Sequence, residues 1–265
     1  MSQEQQGFWD HAEALRRVLR QSIGVVVGLM CIYFAVMPEL FDRVILAPCR
    51  ADFPSYLLLD TTGGSADGGR QGIDIINIQL ASQFLTHMTT SMWLAVVTAF
   101  PVTIYLLWRF VSPGLYEYEK RGAGAVFLGG NVMFYLGVAT GYYLVFPLTL
   151  RFLAGYQLSP YIANQISLDS YIDTFMMLLL VTGILFELPV AAWLLGRIGV
   201  LNRGFFHTYR RHAIVALLVL AAVVTPTGDP FTLAVVFIPI YILWELSALT
   251  VPAGNPAITV NTAKT

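Results

Sequence analysis

Charged residues are scarce in this chain of 265 residues. Lysine and arginine together number 15, and aspartate and glutamate number 16, so that charged residues make up 12% of the sequence. The surface of a soluble domain carries about twice that density of charge. Hydrophobic residues make up 57% of the chain, and its mean hydropathy is +0.67. We therefore predict an integral membrane protein and exclude a chain of one or two soluble domains.

Cysteines, clustered histidines and catalytic motifs are also scarce. Cys31 lies inside the first apolar run and Cys49 lies beyond it, so an intramolecular disulfide is not expected. The four histidines are too scattered to suggest a metal site. The sequence contains no zinc-protease, serine-hydrolase or phosphate-loop motif. We predict a protein that is not an enzyme, holds no metal or cofactor and binds no nucleic acid.

Long uncharged runs predict an all-α fold with six transmembrane helices, because about 20 apolar residues cross a bilayer. The predicted spans form one domain over residues 1–250 and cover residues 21–37, 87–108, 122–150, 174–196, 213–225 and 230–246. Pro38 is expected to end the first span, and polar loops are expected over 39–81 and 151–173. The last two helices are expected to be short, and residues 251–265 to form a disordered tail.

The distribution of positive charge predicts the orientation in the membrane. The N-terminal segment, the loops at 109–121 and 197–211 and the tail together hold 11 of the 15 lysines and arginines. Short loops rich in lysine and arginine stay in the cytoplasm. Both termini are therefore expected to face the cytoplasm.

The stretch from residue 109 to residue 121 separates two of the uncharged runs. It contains a Ser-Pro-Gly break, and Glu117 and Glu119 stand two residues apart within it. Carboxylates at a membrane surface could bind a cationic ligand, or they could belong to a solvated turn that anchors two helix ends. The flanking Phe110 and Leu115 could contact such a ligand or lie in the aromatic belt of the interface.

Two further acidic residues leave alternatives open. Glu13 could pair with Arg16 along a helix or provide a second acidic contact. Glu187 lies inside the fourth predicted span, where an ionisable group is costly and usually faces a polar cavity or a partner. It could receive a polar group of a substrate or partner, or hydrogen-bond to a neighbouring helix. A proton- or ion-coupled small-solute transporter that uses Glu187 is the alternative function, although the two halves of the sequence show no internal repeat.

Several segments, in this order and at these separations, resemble the TatC family of the twin-arginine protein translocase. They are FWDHAEALRRVLR, LAPCRADFP, FVSPGLYEYEKR, FYLGVATGYYLVFPLTLRFL, LFELPV, YRRHAIV, AAVVTPTGDPF and IPIYILWEL. The resemblance implies a glove-shaped, concave bundle in the bacterial inner membrane that binds twin-arginine signal peptides on its cytoplasmic face. It also implies self-association, assembly with TatA- and TatB-like single-span proteins, and export of folded proteins driven by the protonmotive force.

The resemblance also assigns roles to individual positions. Glu119 matches the glutamate that meets the arginine pair of the signal, and Phe110 and Leu115 match neighbouring signal-binding positions. The resemblance further assigns Glu187 and Tyr142 to an intramembrane site, and Pro48 and Asp229 to positions on the outer face.

One position departs from the family motif. Ala14 stands where family members usually carry glutamate, and the acidic residue is one place earlier, at Glu13. A shift of one residue rotates a side chain by about 100° around a helix. The second carboxylate for the arginine pair could therefore be Glu13 or Glu117.

Overall fold

The computed structural model describes residues 3–56, 73–111, 117–159, 161–162, 164–197, 200–225 and 228–251, and it describes side chains from residue 12 onward except at 111, 117–123 and 125–126. These residues are almost entirely helical, which confirms the all-α prediction. The helices are α1 (Gln3–Leu40), α2 (Ser82–Val111), α3 (Glu117–Thr140), α4 (Phe146–Gly155), α5 (Leu168–Leu185), α6 (Leu188–Arg197), α7 (Arg203–Thr208), α8 (Arg210–Val224) and α9 (Pro230–Thr250).

Short irregular elements connect some of these helices. π-helical turns follow α1 and α3 at Phe41–Ile45 and Gly141–Val145, and a 3-10 turn covers Ala47–Cys49. The strands β1 (Ile75–Ile76) and β2 (Ile166–Ser167) pair in parallel. The described residues form two compact units: residues 1–131 with 150–176, and residues 132–149 with 177–265.

Five helical segments within the described residues are long and apolar enough to cross a membrane. They are Ala12–Tyr56, Ser82–Phe110, Phe127–Gly155, Leu168–Arg197 and Pro230–Thr250. α8 occupies the fifth predicted span, but its 15 residues extend only about 22 Å at 1.5 Å per residue. α9 has 21 residues and continues to Thr250, four residues beyond the predicted end of the sixth span.

In the first unit, α1 and α2 run antiparallel and are joined by polar contacts. The Tyr33 hydroxyl lies 2.7 Å from the Thr98 hydroxyl. The ring of Phe34 stacks on that of His87 with centroids 4.1 Å apart. The His87 Nε2 also lies 2.8 Å from the backbone carbonyl of Phe34. Because that carbonyl accepts, His87 donates from Nε2.

The prediction that Pro38 ends the first helix is wrong. α1 contains Pro38 and continues to Leu40. Proline has no N–H, so the carbonyl of Phe34, four residues earlier, loses its helical donor. His87 supplies the missing hydrogen bond from α2. A donor from a neighbouring helix therefore replaces the one that the sequence removes.

Residues 41–56 of the first unit have more regular structure than the loop that is predicted to begin at residue 39. The Tyr171 hydroxyl donates to the carbonyl of Ile45 at 2.6 Å. The Arg151 guanidinium lies over the ring of Tyr56, 5.2 Å from its centroid. The Ser82 hydroxyl donates to the carboxylate of Asp169. The first two contacts attach residues 45 and 56 to α5 and α4.

The predicted loop at 151–173 is likewise shorter in the structure. α4 continues to Gly155, and α5 begins at Leu168, six residues before the predicted start of the fourth span. Asp169 lies in the first turn of α5, where a negative charge interacts favourably with the helix dipole. An aspartate that suggested a loop therefore begins a helix.

In the second unit, the end of α3 packs closely against the end of α5 through glycines. A Cβ atom added at Gly137 would lie 2.5 Å from the carbonyl oxygen of Thr182 and 2.8 Å from the Phe186 side chain. A Cβ atom added at Gly183 would lie 2.9 Å from the ring of Phe134. Only residues without a side chain permit this helix separation.

α9 supplies much of the remaining core of the second unit. A buried cluster joins it to α6 and α7, and consists of Ala192, Phe206, Ala248 and Val251, with Leu201 and Trp244 packed against it. The Thr250 hydroxyl donates to the Pro189 carbonyl at 3.3 Å. α6 is thereby attached to the end of α9.

Candidate functional site

A cleft lies between α1 and α2 at the end of the helices that carries Phe110. It has a volume of about 230 Å³ and is called the α1–α2 cleft below. Its lining residues are Ala14, Arg17, Val18 and Gln21 of α1 with Leu106, Arg109 and Phe110 of α2. The spacing along each helix is three or four residues, so each set occupies one helix face. Apolar side chains form the floor and two arginines stand at the rim.

Glu13 does not line the α1–α2 cleft, although its neighbour Ala14 does. One residue corresponds to about 100° of rotation around a helix, which accounts for the difference. Glu13 is exposed and makes no ion pair with Arg16 or Arg17 in the part of the chain that the structure describes. The structure therefore places Phe110 with position 14 and leaves the carboxylate of Glu13 off that face.

The acidic pair of the predicted loop lies on a helix. α2 extends to Val111 and α3 begins at Glu117, so the segment between the helices is shorter than residues 109–121. Glu117 and Glu119 both belong to α3. Leu115 and the side chains of these two glutamates lie outside the described residues.

Glu187 lies where the fourth span is interrupted. α5 ends at Leu185 and α6 begins at Leu188. The amide of Glu187 donates to the Ile184 carbonyl at 3.1 Å, a tighter turn than the α-helix, and its carbonyl accepts from Ala191 at 2.9 Å. Because Pro189 lacks an N–H, it is tolerated near the start of a new helix. A new helix therefore begins beside the acidic side chain of Glu187.

One carboxyl oxygen of Glu187 has no partner among the described residues. This oxygen, Oε1, is buried. A buried acceptor without a donor costs about 1–3 kcal/mol. Tyr142 lies in the same unit, in the π-helical turn after α3, where its ring meets that of Tyr143 edge to face with centroids 4.8 Å apart.

Glu245 of α9 has the opposite environment. Arg210, the first residue of α8, donates to both of its carboxylate oxygens at 2.7 Å from Nε and Nη2. This two-bond geometry is the strongest that a guanidinium and a carboxylate form. The hydrogen bond to Glu245 and its negative charge raise the pKa of Arg210. This pair is not predictable from the sequence, because the two residues are 35 positions apart.

Pro48 and Asp229 both have structural contacts. Pro48 is buried, and its carbonyl accepts a hydrogen bond from the Tyr56 hydroxyl at 2.8 Å. The Asp229 carboxylate accepts from the Thr232 amide at 2.7 Å and caps α9, with Pro230 as the first helical residue. Gly228, just before the cap, has a φ of 59°, a value that favours glycine. Within the described residues, no group of three or more His, Cys, Asp or Glu side chains could hold a metal ion.

Comparison with known proteins identifies the family. The family model described as Sec-independent protein translocase protein (TatC) matches residues 10–239. The TatC protein of Deinococcus radiodurans is 34% identical over 242 residues, which cover 91% of this chain and 84% of that protein. The TatC protein of a Blattabacterium from Periplaneta americana is 30% identical over 247 residues, which cover 91% of this chain and 92% of that protein.

Solved structures agree with this match. A crystal structure described as the twin arginine translocase receptor TatC has a TM-score of 0.72 and 28% identity, and the match covers 91% of this chain and 97% of that chain. A second crystal structure, described as the same receptor in DDM, has a TM-score of 0.73 and 28% identity, and the match covers 90% of this chain and 98% of that chain. This chain is a multi-pass membrane protein that belongs to the TatC family of the Sec-independent protein translocase.

Proposed function

We propose that this chain is the receptor and core subunit of a twin-arginine translocase, which binds twin-arginine signal peptides of folded cargo on the cytoplasmic face of the inner membrane. The observation that carries the proposal is the family match over residues 10–239, together with the description of a similar solved protein as a translocase receptor. The distribution of lysine and arginine supports an orientation with both termini in the cytoplasm. The role is transport driven by the protonmotive force rather than catalysis.

Glu119 is the proposed primary contact for the arginine pair of the signal. Guanidinium groups are recognised best by carboxylates that accept two hydrogen bonds. Phe110 lines the α1–α2 cleft, and with Leu115 it would contact the apolar residues of the signal. The rim of the cleft carries Arg17 and Arg109, which would repel the arginine pair. The pair is therefore expected to bind on the α3 side of Phe110.

We assign the second carboxylate to Glu117 rather than Glu13. Glu117 lies on α3 two residues before Glu119. Glu13 lies on α1 off the face that lines the cleft, and Ala14, which is on that face, carries no charge. The glutamate that family members usually carry at position 14 is absent here, so α3 is the remaining source of a second acceptor near Phe110.

Glu187 is the proposed contact for the TatA- and TatB-like partners. Its unpartnered Oε1 atom can accept a hydrogen bond from a polar side chain of a single-span helix that docks beside the break between α5 and α6. Interhelical hydrogen bonds stabilise helix association in a bilayer. Tyr142, half-buried in the same unit, is a second polar group for this contact.

Site-specific photocrosslinking tests the signal-peptide site. A photoreactive residue is placed at Phe110, Glu119, Glu117, Glu13 or Leu107, and the membrane-inserted chain is mixed with a twin-arginine peptide or its Lys-Lys counterpart. We expect adducts at Phe110, Glu119 and Glu117 that disappear with the Lys-Lys peptide. Leu107 is exposed on α2 and does not line the cleft, so it is the matched position at which no adduct is expected.

Three other crosslinking results would contradict parts of this proposal. A strong arginine-dependent adduct at Glu13 would contradict the assignment of the second carboxylate to Glu117. Adducts of equal strength at Leu107 would mean that the peptide only coats the membrane surface. No adduct at any position in correctly inserted chain would contradict the receptor function itself.

The unpartnered carboxyl of Glu187 also keeps a second candidate function open, a proton- or ion-coupled transporter of small solutes. A Glu119→Ala variant separates the two. Loss of twin-arginine export with normal membrane insertion supports the receptor. Normal export in Glu119→Ala, together with a solute flux that Glu187→Gln abolishes, supports the transporter.

A further inference from the structure

The α1–α2 cleft combines an apolar floor with two cationic groups. Val18, Leu106 and Phe110 are partly buried, whereas Arg17 and Arg109 are exposed. Arg17 and Arg109 lie on different helices and line the same cavity of about 230 Å³. This is the arrangement of a site for an amphiphile with a negatively charged head, because arginine stems pack on apolar surface while their guanidinium groups stay in the polar region.

Neither arginine is neutralised by the described part of the chain. No described carboxylate forms an ion pair with Arg17 or Arg109, and neither guanidinium has a described hydrogen-bond partner. Ala14, between them in the cleft lining, contributes no charge. Arg210 differs from these two arginines, because its guanidinium donates two hydrogen bonds to Glu245. Within the described residues, the cleft therefore presents two guanidinium forks without a carboxylate partner toward one small volume.

The position along the helices determines what can reach these donors. Arg16 and Arg20 lie within one turn of Arg17 on α1, and no charged residue follows Arg20 until Glu39, over a run that includes the exposed apolar residues Ile23 and Val27. This change from basic to apolar marks a membrane surface. Basic pockets between transmembrane helices at such a surface bind the head groups of anionic lipids.

We propose that the α1–α2 cleft binds an anionic phospholipid, with Arg17 and Arg109 donating to its phosphate and the apolar floor contacting its glycerol and first acyl carbons. A phosphate oxygen pair matches the planar guanidinium fork, and two forks on separate helices would bridge α1 and α2 through one lipid. The proposed lipid site shares Phe110 with the proposed signal-peptide site, but the inference does not depend on peptide binding.

Native mass spectrometry of the full-length chain in a neutral detergent tests the proposal. The chain is titrated with phosphatidylglycerol or with phosphatidylcholine of the same acyl chains. We expect one tightly bound phosphatidylglycerol, with an affinity at least about tenfold higher than that of phosphatidylcholine. The double variant Arg17→Gln with Arg109→Gln should lose this preference, and Arg17→Lys with Arg109→Lys, which keeps the charge but not the fork, should retain part of it.

The matched control is the double variant Arg16→Gln with Arg20→Gln. It removes the same charge from the same end of α1, but neither residue lines the cleft. We expect it to retain the preference for phosphatidylglycerol. Unfolding temperatures of all variants are measured in parallel, and if the glutamine pair in the cleft does not fold, the lysine pair decides the test.

Three results would overturn the proposal. Equal binding of the two lipids would show that the cleft does not recognise an anionic head group. Equal loss in the cleft and control variants would assign the preference to diffuse surface charge. Complete displacement of phosphatidylglycerol by millimolar inorganic phosphate would show an anion site rather than a lipid site.

Discussion

Two glutamates in apolar helices of the same compact unit have opposite environments. Glu245 accepts two hydrogen bonds from Arg210 at 2.7 Å, whereas the buried Oε1 atom of Glu187 has no described partner. Glu245 lies within the continuous helix α9, and the start of α8 presents an arginine to it. Glu187 lies at the break between α5 and α6, where no cation of the described chain reaches it.

This difference suggests that Glu245 stabilises the fold, whereas Glu187 is available to bind a partner. A carboxylate held by an arginine fork has its hydrogen-bonding capacity largely used within the chain. A buried carboxyl oxygen without a described donor lowers the stability of the chain, and a donor from a partner helix can satisfy it. We therefore expect changes at Glu245 to affect stability, and changes at Glu187 to affect assembly and export.

The largest expected effect is that of Glu187→Leu. Removing a polar group that has no partner should leave the unfolding temperature unchanged or higher, because the cost of an unpaired acceptor, about 1–3 kcal/mol when fully buried and less for this half-buried side chain, disappears. Export of twin-arginine cargo should fall at least about tenfold, as expected for a lost interhelical hydrogen bond to a partner. Glu245→Leu is the matched control and should show the reverse pattern. Normal export in Glu187→Leu would contradict the proposed partner site.

Gly137→Ala should move the helix break that positions Glu187. The added methyl group would meet the Thr182 carbonyl and the Phe186 side chain, and overpacking of this kind costs about 1–3 kcal/mol. Gly129→Ala is the control on the same helix, because nothing lies within 4 Å of its added Cβ. Thermal unfolding in detergent should show a lower midpoint for Gly137→Ala only, and equal midpoints would mean that α3 and α5 are less closely packed.

Removing the Arg210–Glu245 pair should have a smaller effect. Both side chains are partly exposed, and ion pairs at an exposed surface contribute little and are screened by salt. Glu245→Gln should therefore lower the unfolding temperature by a few degrees at most, and the difference from the parent chain should shrink at high salt. The exchange Arg210→Glu with Glu245→Arg should recover part of the loss. No recovery would indicate that packing of the side chains, rather than their pairing, stabilises this contact.

The smallest expected change in stability is that of Ala14→Glu, which adds a carboxylate to a place that lacks one. A new pair with Arg17 three residues later is worth about 0.2–0.5 kcal/mol in a helix, so the unfolding temperature should barely change. Binding of phosphatidylglycerol should nevertheless weaken, because the new charge competes for Arg17 and Arg109. Glu13→Ala, which removes an acid outside the cleft lining, should leave lipid binding unchanged. Stronger lipid binding in Ala14→Glu would contradict the phosphate site.

Some features of the candidate sites could be predicted from the sequence, and others could not. The acidic residue in the fourth span was identified from the sequence because a single charge in a long apolar run is conspicuous. The partner of Glu245 could not be identified from the sequence, because Arg210 is 35 positions away and only folding brings the two residues together. The seven residues of the α1–α2 cleft show helical spacing in each strip, but the sequence does not reveal that the two strips face each other.

Helix boundaries were the least predictable feature of the fold. Pro38 indicated a helix end, and Asp169 indicated a loop. For Pro38, a contact from elsewhere compensates the local signal, because His87 donates to the carbonyl that Pro38 leaves free. For Asp169, the position decides, because a negative charge in the first turn of a helix interacts favourably with the helix dipole. A local propensity is a weak predictor where a distant side chain supplies the missing hydrogen bond.

The amino-acid sequence by itself determined that this protein is helical and lies in a membrane. Charge density and the length of apolar runs decide both, because a bilayer accepts only segments whose backbone hydrogen bonds are internal. Only the tertiary structure decided which charged groups have partners. Arg210 donates to Glu245, whereas the Oε1 atom of Glu187 and the guanidinium groups of Arg17 and Arg109 have no described partner. Whether two charged groups meet depends on distances of a few ångströms between residues far apart in the chain, and those distances exist only after the helices have packed.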